Sequence, residues 1–216
     1  MDKYCIVSDF DGTITDRDGL YSFIQTYAKD GWEKVEMDWA EGKISSKECL
    51  IKEFLLIPNL SEELASKFIG TIKIDINFKQ FYNYIKELDI DFYIVSDGVD
   101  YFIEKILANY NLNGLNVVSN HGEFQGKMFK WSFPNDSKNC KNNAGTCKCE
   151  VINELRQIYN KIIYIGDGVS DYCVADKADI LFAKQRLLGY CIDNNISCVE
   201  YNDFRDIQSY LQSMFN

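Results

Sequence analysis

The chain has 216 residues, 46% of them hydrophobic and 26% charged, with only two prolines, enough to bury a full core in one domain or in one domain with an insertion. Its 23 basic and 33 acidic residues leave a net charge of −10, which argues against a nucleic-acid backbone as partner and requires any anionic ligand to be met locally. No apolar run approaches the ~20 residues that span a bilayer and no signal-peptide pattern precedes the first apolar run, so a cytoplasmic protein with reduced cysteines and no membrane partner is expected.

The run Cys5-Ile6-Val7-Ser8 reads as a buried strand that closes in Asp9-Phe10-Asp11-Gly12-Thr13. Ligand sites of open α/β sheets lie at such C-terminal strand edges. Asp9 and Asp11, two apart, project to the same side if the chain stays extended. Two carboxylates in one pocket repel unless a cation or a shared proton relieves them, an arrangement that suits a nucleophile, a proton donor and a divalent metal. Gly12 provides the freedom to turn, and Thr13 offers a hydroxyl and a backbone N–H.

Residues 16–77 contain no convincing strand. Leu20, Phe23, Ile24 and Tyr27 share a helical face, as do Leu50, Ile51, Phe54 and Leu55 behind a Ser45/Glu48 capping box. A third piece carries Leu64, Ala65, Phe68 and Ile69. A structureless loop of this length is implausible inside a compact domain, so residues 16–77 are expected to be an inserted helical cap, and 1–15 with 78–216 the core.

A helix over Phe78–Leu88 leads to a strand over Ile90–Val95 that closes in Ser96-Asp97-Gly98. The next helix, Val99–Tyr110, would place its N-terminal N–H groups beside Ser96 as a phosphate seat. Asn116–Ser119 and Glu123–Phe133 look like short strands, with a turn at Gln125-Gly126-Lys127 and His121, the only histidine, on a surface loop. A helix over Lys148–Tyr159 puts Lys148 in a first turn, where the dipole disfavours a cation and a bound phosphate would favour one; Lys138 and Lys141 compete for that role. Ile162–Ile165 forms a third strand, closing in Gly166-Asp167-Gly168-Val169-Ser170-Asp171. Strands at Asp179–Phe182 and Ser197–Glu200 and helices at Gln185–Asp193 and Phe204–Phe215 complete an α/β pattern of mainly parallel, doubly wound type.

What is missing also narrows the chemistry. One histidine rules out a His-rich dizinc site and an H-E-x-x-H helix, no cysteine precedes an arginine by six positions, and neither G-x-x-x-x-G-K-[ST] nor G-x-G-x-x-G occurs. Cys140, Cys147 and Cys149 lack the paired C-x-x-C spacing of structural zinc and read as plain thiols.

In a parallel sheet the ends carrying Asp9 and Asp11, Ser96, and Asp167 and Asp171 lie on one edge and converge. Together with a lysine these segments resemble, in the right order and from residue 9 to residue 171, the four motifs of the haloacid dehalogenase-like phosphatases. The resemblance implies Asp9 as nucleophile and Asp11 as general acid/base. It places Ser96 and Lys148 on the phosphoryl group, with Thr13, Asp97 and Gly98 beside it. Mg²⁺ would bind Asp9, the Asp11 carbonyl and Asp167, with Asp171 supporting that site. Asp11 favours phosphoryl transfer over dehalogenation.

The insertion is similar to the helical cap of the phosphoserine-phosphatase-like branch. Asp18, nine residues after Asp9, stands where a glutamate typically meets an amino-acid substrate. Gly42-Lys43-Ile44-Ser45 with Glu48, and the cysteines near Lys148, are more like the methionine-salvage phosphatases acting on 2-hydroxy-3-keto (or 2,3-diketo) 5-methylthiopentane 1-phosphates. The expectation is a monomeric or homodimeric Mg²⁺-dependent hydrolase of a small phosphorylated metabolite through an aspartyl-phosphate. Phosphoserine and phosphocholine or phosphoethanolamine phosphatases are the alternatives, with a phosphotransferase or mutase and a non-catalytic binding module as other classes.

Overall fold

The computed structural model describes residues 2–126, 128–140 and 143–215. Seven strands form one sheet: β1 (Tyr4–Ser8), β2 (Asp91–Val99), β3 (Asn116–Gln125), β4 (Met128–Ser132), β5 (Lys161–Gly166), β6 (Ile180–Ala183) and β7 (Val199–Glu200). Their order is β4-β3-β2-β1-β5-β6-β7, parallel except for the antiparallel β3–β4 pair at one edge. Helices α1 (Gly19–Tyr27), α2 (Trp32–Ala40), α3 (Ser46–Leu55) and α4 (Glu62–Ile69) follow β1. After them come α5 (Phe78–Glu87), α6 (Asp100–Asn109), α7 (Lys148–Leu155), the 3₁₀ turn Val169–Val174, α8 (Gln185–Asp193) and α9 (Phe204–Phe215). The doubly wound α/β architecture is the one the sequence pattern implies. No helix among the described residues is long and apolar enough to cross a membrane.

Alternation along the central strands builds two cores. Ile6, Ile94 and Ile163 face one side, under α5, α6 and α9, while Cys5, Val7, Val95, Ile162 and Tyr164 face the other, under α7 and α8. Burial on both faces explains why β1 reads as a continuous apolar run rather than an alternating one. The first core continues into the helices after β1, where Phe23 of α1 lies 5.1 Å from Phe102 of α6 and 5.2 Å from Phe68 of α4. The two ends of that helical segment are fastened together. Asp16 donates to the Lys73 carbonyl at 2.9 Å, Asp75 to Ile14 at 2.8 Å, and Thr15 pairs with Ile74 as an isolated antiparallel bridge.

The capping box at α3 forms as its sequence indicates: Glu48 N–H donates to Ser45 Oγ at 3.1 Å and Ser45 N–H to Glu48 Oε2 at 3.0 Å. Ser45→Ala is expected to cost about 1 kcal/mol and to lower the urea midpoint without changing the slope.

Several boundaries differ from the sequence pattern. Helix α2 has no fully buried residue, and its short apolar stripe of Trp32, Val35 and Trp39 is only half-buried. Strand β2 does not stop at Val95 but runs to Val99 through a register shift against β3, so α6 starts at Asp100. β3 is one unbroken strand, which puts His121 within it rather than on a loop, exposed and 2.6 Å from Asp100 Oδ2. The expected Gln125-Gly126-Lys127 turn falls partly on Lys127, outside the described residues. Helix α7 ends at Leu155, not Tyr159.

Candidate active site

β1 delivers Asp9 to the carboxyl edge of the sheet, where its N–H still pairs with the Ile165 carbonyl of β5 at 2.9 Å. The chain then wraps tightly, with Ile14 and Thr15 N–H both donating to the Phe10 carbonyl. Gly12 makes the turn at φ +74°, and a Cβ there would stand 2.6 Å from Asp167 Oδ2. Only glycine allows both that backbone conformation and the close approach of the carboxylate.

Asp9 is 5% exposed. Its Oδ1 accepts from Phe10 N–H at 2.7 Å, and its Oδ2 lies 2.9 Å from Lys148 Nζ. Lys148, at the start of α7, also donates to Asp171 Oδ1 at 2.6 Å and to Ser170 Oγ at 3.0 Å. Asp9 and Asp171 thus account for a cation in a helical first turn. Burial works against the Lys148 ammonium, yet these two carboxylates hold its pKa well above the ordinary lysine value. Lys138 is exposed, and Lys141 lies outside the described residues.

Asp171 is fully buried, and each of its oxygens accepts two hydrogen bonds. Oδ1 takes Lys148 and Tyr164 Oη, and Oδ2 takes the N–H groups of Asp167 and Gly168 at 3.0 Å each. It is a brace for the loop and the lysine. Thr13 donates its hydroxyl to Asp167 Oδ1 at 2.6 Å. The bulged end of β2 brings in Ser96, buried, whose Oγ accepts from Gly98 N–H at 2.9 Å. Ser96 sits in the strand bulge, four residues before α6 rather than at its first turn. Asp11 accepts from Gly19 N–H at 2.9 Å and packs on Gly98, where a Cβ would come within 2.9 Å of its Oδ2.

Asp97 lines the same cavity as Asp9, with its side chain held by neighbours of its own. Its Oδ1 accepts from Thr146 N–H at 2.9 Å and Asn120 Nδ2 at 3.2 Å, tying down the segment that leads into Lys148. Asn120, Thr146 and Tyr164 are supports that no sequence signal marked, because each acts only through partners far along the chain. Ser170 belongs to the Gly166–Asp171 motif, but nothing in the spacing shows that its hydroxyl meets Lys148. Cys140, Cys147 and Cys149 are free thiols, and Cys149 Sγ donates to the Cys173 carbonyl.

Burial, then the Asp171 charge, raises the Asp9 carboxyl well above the ordinary aspartate value against the pull of Lys148. Burial, then Asp18, pushes Asp11 up to about 8. Asp167 is raised chiefly by burial. Oxygens of Asp9, Asp167 and Asp171 lie within 4.8 Å of one another, a concentration of hard donors that a divalent cation would relieve. A cavity of about 810 Å³ opens from Asp9, Asp11, Ser96 and Asp167 toward Trp39 and Glu53 on α2 and α3.

Residues 4–205 match the family described as Putative Phosphatase. A 2-hydroxy-3-keto-5-methylthiopentenyl-1-phosphate phosphatase of Bacillus pumilus (strain SAFR-032) is 33% identical over 97% of this chain and 91% of its own length. Its namesake in Bacillus thuringiensis subsp. konkukian (strain 97-27) is 31% identical over 97% and 96%. A phospho-aspartyl intermediate analogue of phosphoserine phosphatase superposes with a TM-score of 0.72 at 21% identity, covering 97% of this chain and 99% of that one. A substrate-bound phosphoserine phosphatase complex gives 0.70 at 20%, covering 97% and 98%. These two structures share the fold.

Proposed function

The chain belongs to the Putative Phosphatase family of haloacid dehalogenase-like phosphoric monoester hydrolases, and on that premise we propose that Asp9 is the nucleophile toward a small phosphorylated metabolite. The observation that carries this reading is Lys148 Nζ, 2.9 Å from Asp9 Oδ2, beneath a cavity that Asp11, Ser96 and Asp167 also line.

An Asp9 oxygen attacks phosphorus as the bond to the leaving oxygen breaks, giving an aspartyl-phosphate. Asp11, raised to about 8 and so holding a proton near neutrality, gives it to the departing alkoxide. The resulting Asp11 carboxylate takes a proton from water, whose oxygen attacks the same phosphorus and releases phosphate and free Asp9. Lys148 and Ser96 hold the phosphoryl oxygens. Asp171 stays out of the reaction, because its four hydrogen bonds already commit both oxygens. Asp9 and Asp167 and the Asp11 carbonyl would hold Mg²⁺, the hard cation that suits an all-oxygen donor set. Bound there, Mg²⁺ supplies neutralisation of charge on the transferring group.

Residues 16–77 form the cap in this reading, hinged where Thr15 meets Ile74, over a core of 1–15 and 78–216. The relatives' printed substrate, 2-hydroxy-3-keto-5-methylthiopentenyl-1-phosphate, is our first candidate. The apolar lining by Leu20, Ile24, Trp39 and Leu50 suits its methylthio tail. Eight unbridged cysteines fit the reducing cytoplasm. The test is phosphate release from that compound, phosphoserine, phosphocholine and phosphoethanolamine, with Mg²⁺ and with EDTA. Turnover lost in EDTA and restored by Mg²⁺, strongest on the methylthiopentenyl ester, is expected. Wild-type protein inert toward every ester with Mg²⁺ present would overturn the reading.

A further inference from the structure

The wall of the cavity away from Asp9 holds a group the mechanism leaves unused. Glu53 lies on α3, is 3% exposed, and lines the same cavity as Asp9 and Asp11. Its Oε1 is buried without a hydrogen-bond partner, the one such side-chain atom among the described residues. A buried carboxylate oxygen left unpaired costs folding free energy that a leucine at the same position would not. Cys49, one helical turn earlier on the same face, and Glu36 across on α2 bring their ligand atoms within 4.8 Å of Glu53. Cys49 Sγ stands 3.7 Å from Glu36 Oε2. The lining cation nearest in sequence to this wall, Arg17, turns away, donating to Thr71 and lying over the Phe68 ring.

We propose that Glu53, seconded by Glu36, is a specificity-determining residue that accepts a hydrogen bond from an O–H or N–H donor on the substrate's carbon chain, remote from the phosphate. This rests on the phosphatase reading and adds the class of substrate: a phosphomonoester carrying a hydroxyl or ammonium group along its chain. The donor fills the vacancy at Oε1, while Trp39 and Leu50 cover the intervening carbons. An ester without such a donor leaves Glu53 Oε1 as unpaired as it is in the free protein, so the site discriminates by an unmet polar group rather than by size.

The two donor types separate by pH. The groups facing Glu53 are Glu36 from α2, Cys49 from α3 and Asp18 at the start of α1. Burial first, and the Glu36 charge next, push Glu53 up to about 8, so near neutrality Glu53 itself holds a proton. An ammonium must displace that proton and binds better as pH rises through this range. A hydroxyl is read with the proton in place and gains nothing.

The experiment compares propyl, hydroxypropyl and aminopropyl phosphate by kcat and KM with saturating Mg²⁺, in wild type, Glu53→Gln and Glu36→Gln. In wild type, kcat/KM is expected to favour one donor-bearing ester over propyl phosphate about tenfold, carried by KM. Glu53→Gln should bring that ratio down to about two or less, and Glu36→Gln should lower it in the same direction. A KM for the aminopropyl ester that falls between pH 7 and pH 9 assigns the ammonium; a flat profile with the hydroxypropyl ester preferred assigns the hydroxyl. A wild-type ratio near one for both donors overturns the inference even if neither variant folds, as does a ratio that both folded variants preserve. Both results leave the phosphatase reading standing, whereas the absence of Mg²⁺-dependent release from all three esters, and from the candidates above, would remove that reading itself.

Discussion

Asp9→Asn is expected to abolish phosphate release, lowering kcat by about 10⁴-fold, because asparagine keeps the shape of the side chain and removes the attacking oxyanion. The loss should not come with unfolding. Wild-type Asp9 is raised above its ordinary value by burial and by Asp171. A carboxyl with a raised native pKa contributes stability that is present below its unfolded value and lost as pH rises through the native one. Near neutrality the ionised Asp9 is therefore a local burden that Lys148 and the Phe10 N–H offset, and replacing it with a neutral amide relieves Asp171 and Asp167. Without metal, the variant should melt no lower than wild type. Mg²⁺ should raise the melting temperature of wild type more than that of the variant, since an anionic carboxylate donor has become a neutral amide. A variant that keeps substantial turnover would show that another group attacks phosphorus.

The second large effect is expected of Lys148→Met, which removes one ammonium from between two buried carboxylates. Asp9 at 2.9 Å and Asp171 at 2.6 Å are then left facing each other with no cation. Breaking a buried pair in this way costs about 3–5 kcal/mol, and loss of the phosphoryl-holding charge should lower kcat/KM by about 10²–10³-fold. The stability loss has a signed pH dependence. Without Lys148 the native pKa of Asp9, already raised, moves further above the unfolded value of ~3.9, so the variant regains stability as pH falls and loses it as pH climbs. Urea unfolding at about pH 5 and about pH 8 should show a gap to wild type that is clearly smaller at the acid value. A gap independent of pH would mean that the lysine acts by packing alone.

How much of this was legible in the sequence depended on whether the signal was local. The ends of β1 and β5 showed because an apolar run followed by Asp and Gly is a short-range pattern, and the parallel order then brings Asp9 and Asp167 together without further information. The capping box of α3 was equally local. The bulge in β2 was not: Ser96 to Gly98 looked like a strand ending, whereas pairing with β3 resumes at Val99. Helix α2 is hard to see because its short stripe of Trp32, Val35 and Trp39 is only half-buried, and the ties of Asp97 to Thr146 and Asn120 reach far along the chain. Glu53 went unnoticed because one glutamate in an amphipathic helix is ordinary until its burial and its empty Oε1 are seen.

The position of β1 bears on how the chain is made. It is the first element in sequence and the centre of the sheet, yet Cys5 pairs with Asp91 on one side and Tyr4 with Lys161 on the other. During synthesis β1 precedes both of its neighbours: Cys5, Ile6 and Val7 stay unpaired until β2 has been made, and open on their other side until β5 follows. The segment of α1–α4, closed on itself by Thr15 and Ile74, is complete long before then. The helical segment can therefore take shape on the ribosome before the sheet edge with Asp9, Ser96 and Asp167 is assembled, and until then the apolar residues of β1 are exposed to aggregation.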